Sequence, residues 1–193
     1  MGTCVARYML EVLDGTSKKE RVRQLIGIGP PNNGSALAEL FNHPEYGKEI
    51  IRKLSGIFVP ENYDPASDLI VQQFRPQSTT MKILAAAGLR GDIAYRILCA
   101  ENLTQAPEFF PSFDGKTWEC TPEGGWRQTF DGDGIVPQSD SILAGVGLDI
   151  VPADPAHLEL ARDGYCHIRL PRNPEVIDRI IWYLKNPAYT SGS

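Results

Sequence analysis

The sequence predicts an α/β protein built on a mostly parallel sheet. Three observations lead there. Strand and helix patterns alternate along the chain. The clearest strand, Val22 to Gly29, has an apolar second half, Leu25-Ile26-Gly27-Ile28, as expected of a buried parallel strand covered on both faces. The last short strand, Leu148 to Val151, is followed by a strong helix pattern opened by Asn173-Pro174.

The elements follow in order. Residues 3–14 read as a helix, with Val5, Tyr8, Met9 and Val12 at the spacing of one buried stripe. Gly15 suits the left-handed position that closes it. Pro30-Pro31-Asn32-Asn33-Gly34 ends the Val22–Gly29 strand abruptly. Four helical patterns come next: Ser35 to Phe41, Tyr46 to Leu54, Asp64 to Phe74 and Ser78 to Ala87. Asp64-Pro65 reads as an N-cap with proline at the first helical position, and Gly88 as a C-terminal stop. Residues 35–90 are therefore expected to form a helical insertion over the sheet.

Gly91 to Cys99 returns to strand character, with Ile93, Tyr95, Ile97 and Cys99 alternating. Residues 100–115 read as loop. Thr117–Cys120 and Trp126–Thr129, around Pro122-Glu123-Gly124-Gly125, read as a small hairpin. Asp154-Pro155 starts one helical turn. The final helix carries Ile177, Ile180, Ile181 and Leu184 on one face, Asn186-Pro187 stops it, and the tail to Ser193 is expected to fray. There is no internal repeat. Only three core strands are legible, and a sheet so small leaves an edge open to another strand. That points to missing N-terminal structure, poor stability of the chain as it stands and self-association through the edge.

Composition narrows the function classes. The chain has 193 residues, enough for one domain or most of one. Its 42% apolar and 22% charged residues are those of a soluble globular protein. The net charge is −5 and no Lys/Arg run exceeds Lys18-Lys19, which argues against nucleic acid and anionic membranes as partners. No apolar run is long enough for a transmembrane segment. Cys4, Cys99, Cys120 and Cys166 are scattered and read as buried free thiols. No His or Cys pair has zinc-ligand spacing, so no metal and no cofactor is expected. There is no secretory signal at residue 1, but an incomplete N-terminus would have lost one. The compartment stays open, cytoplasmic by default.

The chemistry-bearing residues are few. Asp131-Gly132-Asp133-Gly134-Ile135-Val136-Pro137 is the clearest motif. Its glycines allow a tight turn that presents a carboxylate able to orient an imidazole. An acidic turn or a weak calcium loop reads equally well, although the EF-hand pattern is absent. Among the histidines, His43 falls in the helical insertion and His157 on an exposed turn. His167, in Tyr165-Cys166-His167-Ile168, precedes the last helix, where its ring can reach the C-terminal edge of the sheet. Ser35, Ser139 and Ser141 are best read as helix caps. Cys4 sits on a helix, and Cys166 is too close in sequence to His167 to pair with it.

Taken together, these segments resemble the C-terminal half of an α/β-hydrolase of the lipase and esterase kind, over nearly the whole chain. Met1-Gly2-Thr3-Cys4-Val5-Ala6-Arg7-Tyr8 looks like the back half of a nucleophile elbow, Gly-x-Ser-Met-Gly, and its helix. Val22 to Ser35 looks like the next core strand with its Pro-Asn-x-Gly-Ser exit. The resemblance implies residues 1–34 and 91–193 as core, residues 35–90 as cap, Asp133 rather than Asp131 as the acid, and His167 as the base. It implies that the chain begins one residue after the catalytic serine. Met1 would then supply an oxyanion-hole N–H, here a terminal amine. The expected function is a serine ester hydrolase acting on an apolar or acyl-ester substrate, inactive without its serine. A binding remnant of the fold is the alternative, as is acyl-transferase, thioesterase or amide-cleaving chemistry in a longer protein.

Overall fold

Three parallel strands carry the site. In the computed structural model, residues 1–187 are described, and the expected frayed tail lies outside them. β1 (Gln24–Ile28), β2 (Ala94–Ala100) and β5 (Leu148–Val151) form a sheet in the order β1-β2-β5. Gln24 lies beside Ala94, and Ala100 beside Val151. A separate antiparallel hairpin joins β3 (Thr117–Cys120) to β4 (Trp126–Thr129). The mixed α/β class with a mostly parallel sheet is therefore present.

The alternation in β2 sorts its side chains between two cores. Ile93, Tyr95, Ile97 and Cys99 pack with Leu10 and Leu143 on one face. Leu98 and Ala100 point to the other face and meet the larger core. That core includes Val176 and Tyr183 of α8 (Pro174–Lys185). Leu40 of α2 (Ala36–Phe41) and Leu54 of α3 (Gly47–Leu54) belong to it as well. β1 was expected to be covered on both faces, but Leu25, Ile26 and Ile28 are only half-buried because β1 borders the sheet.

The first helix departs from its expected face. It runs as α1 (Gly2–Arg7) and continues as a π-helical turn, Tyr8–Leu13, closed by the Asp14 N–H donating to the Met9 carbonyl at 3.0 Å. The buried side is Cys4, Arg7, Leu10, Glu11 and Asp14, whereas Val5 and Met9 are exposed. Charge pairing is the reason. Arg7 Nη2 meets Glu11 Oε2 at 2.9 Å, and Arg7 Nη1 also donates to the Asn32 carbonyl and side chain. Asp14 receives Arg90 Nη1 at 2.9 Å. Gly15 is not left-handed, and its place is fixed instead by the Glu11 carbonyl, which a Cβ there would strike.

Between β1 and β2 lie α2, α3, α4 (Leu69–Phe74) and α5 (Thr79–Ala87). Ser35 caps α2 by accepting the Ala38 N–H, and Ser78 caps α5 by accepting that of Met81. Gly88 ends α5 at φ 71°, as expected. The cap of α4 is Asp68, not Asp64; Asp68 accepts from Ile70 and Val71, while residues 64–67 stay a turn. Residues 100–115 include two 3₁₀ turns, Pro107–Phe109 and Pro111–Phe113, which bury three phenylalanines in the main core. Further on come α6 (Gln138–Ser141) and α7 (Ala156–Leu160). Ser139 and Ser141 lie inside α6 instead of capping it, and Ser139 Oγ donates to Glu119 Oε2. Among the cysteines, Cys120 is exposed because it ends an edge strand of the hairpin; the other three are buried. Among the described residues no helix is long and apolar enough to cross a membrane.

Candidate functional site

Asp133 sits in the turn between β4 and α6, and that turn is built to hold it. Its Oδ1 accepts the N–H groups of Ile135 at 3.0 Å and Val136 at 2.7 Å. The turn reverses at Gly134, whose φ of 92° strains any side chain and whose Cβ would collide with Phe110. The Gly134 N–H donates to Thr117 Oγ1 at 2.8 Å, which ties the turn to the hairpin. Asp133 ends 1% exposed, with Oδ2 aimed outward.

His167 lies on the loop between α7 and α8. Its backbone N–H donates to the Asp133 carbonyl at 2.8 Å, and its Nδ1 lies 2.7 Å from Asp133 Oδ2. Both segments are thus joined twice across 34 residues of sequence. The pair stands over the C-terminal end of β1: a Cβ on Gly29, at φ 51°, would lie 2.5 Å from Asp133 Oδ2 and 3.4 Å from His167 Nδ1. Open α/β sheets place their ligands at this end of the strands.

The electrostatics raise the proton affinity of His167 above its ordinary value. Burial pulls the His167 proton affinity down, but the Asp133 charge and hydrogen bond raise it more, and the net shift is upward. The Met1 amino group opposes this with a smaller downward pull. With Nδ1 held by Asp133, Nε2 is left to exchange protons. The side chain is 26% exposed and faces a pocket of about 130 Å³. Met1, Leu37, Phe41, Val71 and Val136 help line that pocket, and Phe58 stands edge-on to the imidazole at 6.1 Å. Such a site can hold an apolar group against a general base.

The structure brings Asp133, His167 and Met1 together. It leaves the other candidates outside. Asp131 is exposed on the flank of the turn. His157 is 48% exposed and pairs with Glu175, with Nδ1 to Oε2 at 2.9 Å. His43 accepts N–H bonds from Glu45 and Tyr46 within its own loop. Of the apolar residues at 37–58, Leu37, Leu40, Phe41, Ile50 and Leu54 are core, whereas Ile57 and Phe58 are exposed. Sequence reasoning missed Thr117 and Gly29. Gly29 had a local signal, ending a strand before Pro30-Pro31; Thr117 acts through a contact remote in sequence. No cluster of three or more His, Cys, Asp or Glu among the described residues can hold a metal ion. No protein-family model matches the chain, nor does any curated protein or any solved structure.

Proposed function

We propose that the chain carries the acid–base half of a serine ester hydrolase of the lipase and esterase kind. The observation that supports it is the 2.7 Å contact of buried Asp133 with His167 over the end of a parallel sheet. In this reading a serine placed just ahead of Met1 attacks an ester carbonyl while His167 Nε2 takes its proton. The tetrahedral intermediate expels the alcohol, which receives that proton, and an acyl-enzyme remains. Water, deprotonated by the same imidazole, then releases the acid. Asp133 holds the tautomer with Nδ1 protonated and balances the imidazolium charge. The backbone N–H of Met1 faces the oxyanion. Residues 35–90 act as the cap, and the apolar pocket takes the acyl group.

The test uses a chain extended upstream through Gly-x-Ser. It should hydrolyse short p-nitrophenyl esters, and the 193-residue chain should not. His167→Ala in the extended chain should lower turnover roughly a thousandfold or more. Retained hydrolysis would withdraw the assignment. Competition among ester, thioester, amide and acyl-acceptor substrates separates hydrolysis from acyl transfer. The apolar pocket beside His167 also favours a second reading, a binding module without turnover. An extended chain that takes up small apolar ligands and turns nothing over would select it.

A further inference from the structure

The pocket beside His167 is backed by the main core. Leu37 and Phe41 of α2 line it, with Ile135 and Val136 of the Asp133 turn. All are buried and belong to the larger core cluster. Close packing behind them leaves no slack for the pocket to deepen. Ile135 and Val136 also donate their N–H groups to Asp133 Oδ1. The turn that orients His167 therefore fixes part of the pocket wall as well. Phe58 and Ile70 line the pocket too, and both are exposed.

Size and polarity both restrict what the pocket can hold. It measures about 130 Å³. An apolar cavity of roughly 150 Å³ takes up a benzene-sized molecule, so about four to six carbons fill this one. Of the side chains that line it, only Ser35 and His167 carry a nitrogen or oxygen. The Ser35 hydroxyl oxygen already accepts the Ala38 N–H, and His167 Nδ1 is held by Asp133. A charged group on the buried tail would lose its water and find no counter-charge beside it.

We propose that the site takes esters of short, unsubstituted fatty acids, with an acyl tail of about four to six carbons seated in this pocket. Further carbons pass Phe58 and Ile70 into water and add no binding. The inference rests on the reading of Asp133 and His167 as a hydrolase site, and adds to it the size and polarity of the acyl group.

The probes are straight-chain carboxylates from acetate to decanoate. They are titrated into the 193-residue protein and followed by the His167 ring resonances. Each methylene seated in the pocket should tighten binding about fourfold. The gain should stop at about six carbons. ω-Aminohexanoate, as long as hexanoate but charged at its far end, should bind roughly tenfold more weakly or worse. Val71→Ala widens the half-buried α4 side of the pocket and should move the plateau to longer chains. Val71→Phe should fill the pocket and flatten the dependence on length. Should that variant not fold, the parent series and Val71→Ala decide alone. Affinity still rising to decanoate, equal binding of hexanoate and ω-aminohexanoate, or no binding of any acid would overturn the inference, whatever a chain extended through Gly-x-Ser hydrolyses. The expected plateau, together with an extended chain that cleaves no ester, would overturn the hydrolase reading instead and leave the size limit standing for a bound acid.

Discussion

Asp133→Ala removes more than a partner for His167. The carboxylate is 1% exposed and accepts the N–H groups of Ile135 and Val136 besides facing His167 Nδ1. Alanine strands two buried backbone donors, each costing about 1–3 kcal/mol, so the change should destabilise by roughly 2–6 kcal/mol. His167 adds little to that sum because water reaches its half-open ring. Asp133→Asn keeps an oxygen for the two backbone donors and loses only the charged link to His167, about 1–2 kcal/mol. Urea unfolding of both variants beside the parent chain measures the difference. The pH dependence gives a second check. His167 holds its proton more tightly in the fold than its ordinary 6.5 allows. Its protonation therefore stabilises the fold fully below that value, and the contribution is lost as pH rises through the raised, folded value. Either variant should lack that increment relative to the parent chain. Equal losses for alanine and asparagine, or an unchanged pH dependence, would refute the turn as described.

Other residues give independent tests. Burial, with Glu119 and Asp133 nearby, pushes Asp140 up from 3.8 to about 7, although the Ala36 N–H pulls it down. The fold should therefore lose stability between those two values as pH rises, on the order of 4 kcal/mol. Asp140→Asn, which keeps an acceptor for Ala36, should flatten this loss in pH-dependent melts. A thiol reagent on the native protein should modify Cys120 first, since Cys4, Cys99 and Cys166 are buried and burial pushes Cys99 to about 12. One fast thiol followed by three released only on unfolding is the expected trace. Arg7→Met leaves Glu11 buried without its partner and should cost about 3–5 kcal/mol in urea unfolding; Arg7→Met with Glu11→Met should recover much of that.

What the sequence made legible was whatever local chemistry decides. The alternation at 93–99 placed β2 because each face of that strand meets its own apolar core. Asn173-Pro174 and Asn186-Pro187 bounded α8 because caps and prolines act within one turn. The Asp133 turn was legible because its glycines and its carboxylate act on neighbouring N–H groups. The failures share the opposite property. A periodicity search places Arg7, Glu11 and Asp14 in water, since nothing nearby reveals that Asn32 and Arg90 will meet them 25 and 76 residues away. Asp64 and Asp68 are equal caps by residue type, and Asp68 also accepts the Tyr63 hydroxyl at 2.9 Å. Thr117 reaches the site only after the hairpin has packed against it. The pairing of Asp133 with His167 is also long-range, but each lies in a short loop fixed from within, and it was the resemblance to a known fold, carried by the order of the motifs, that proposed the pair.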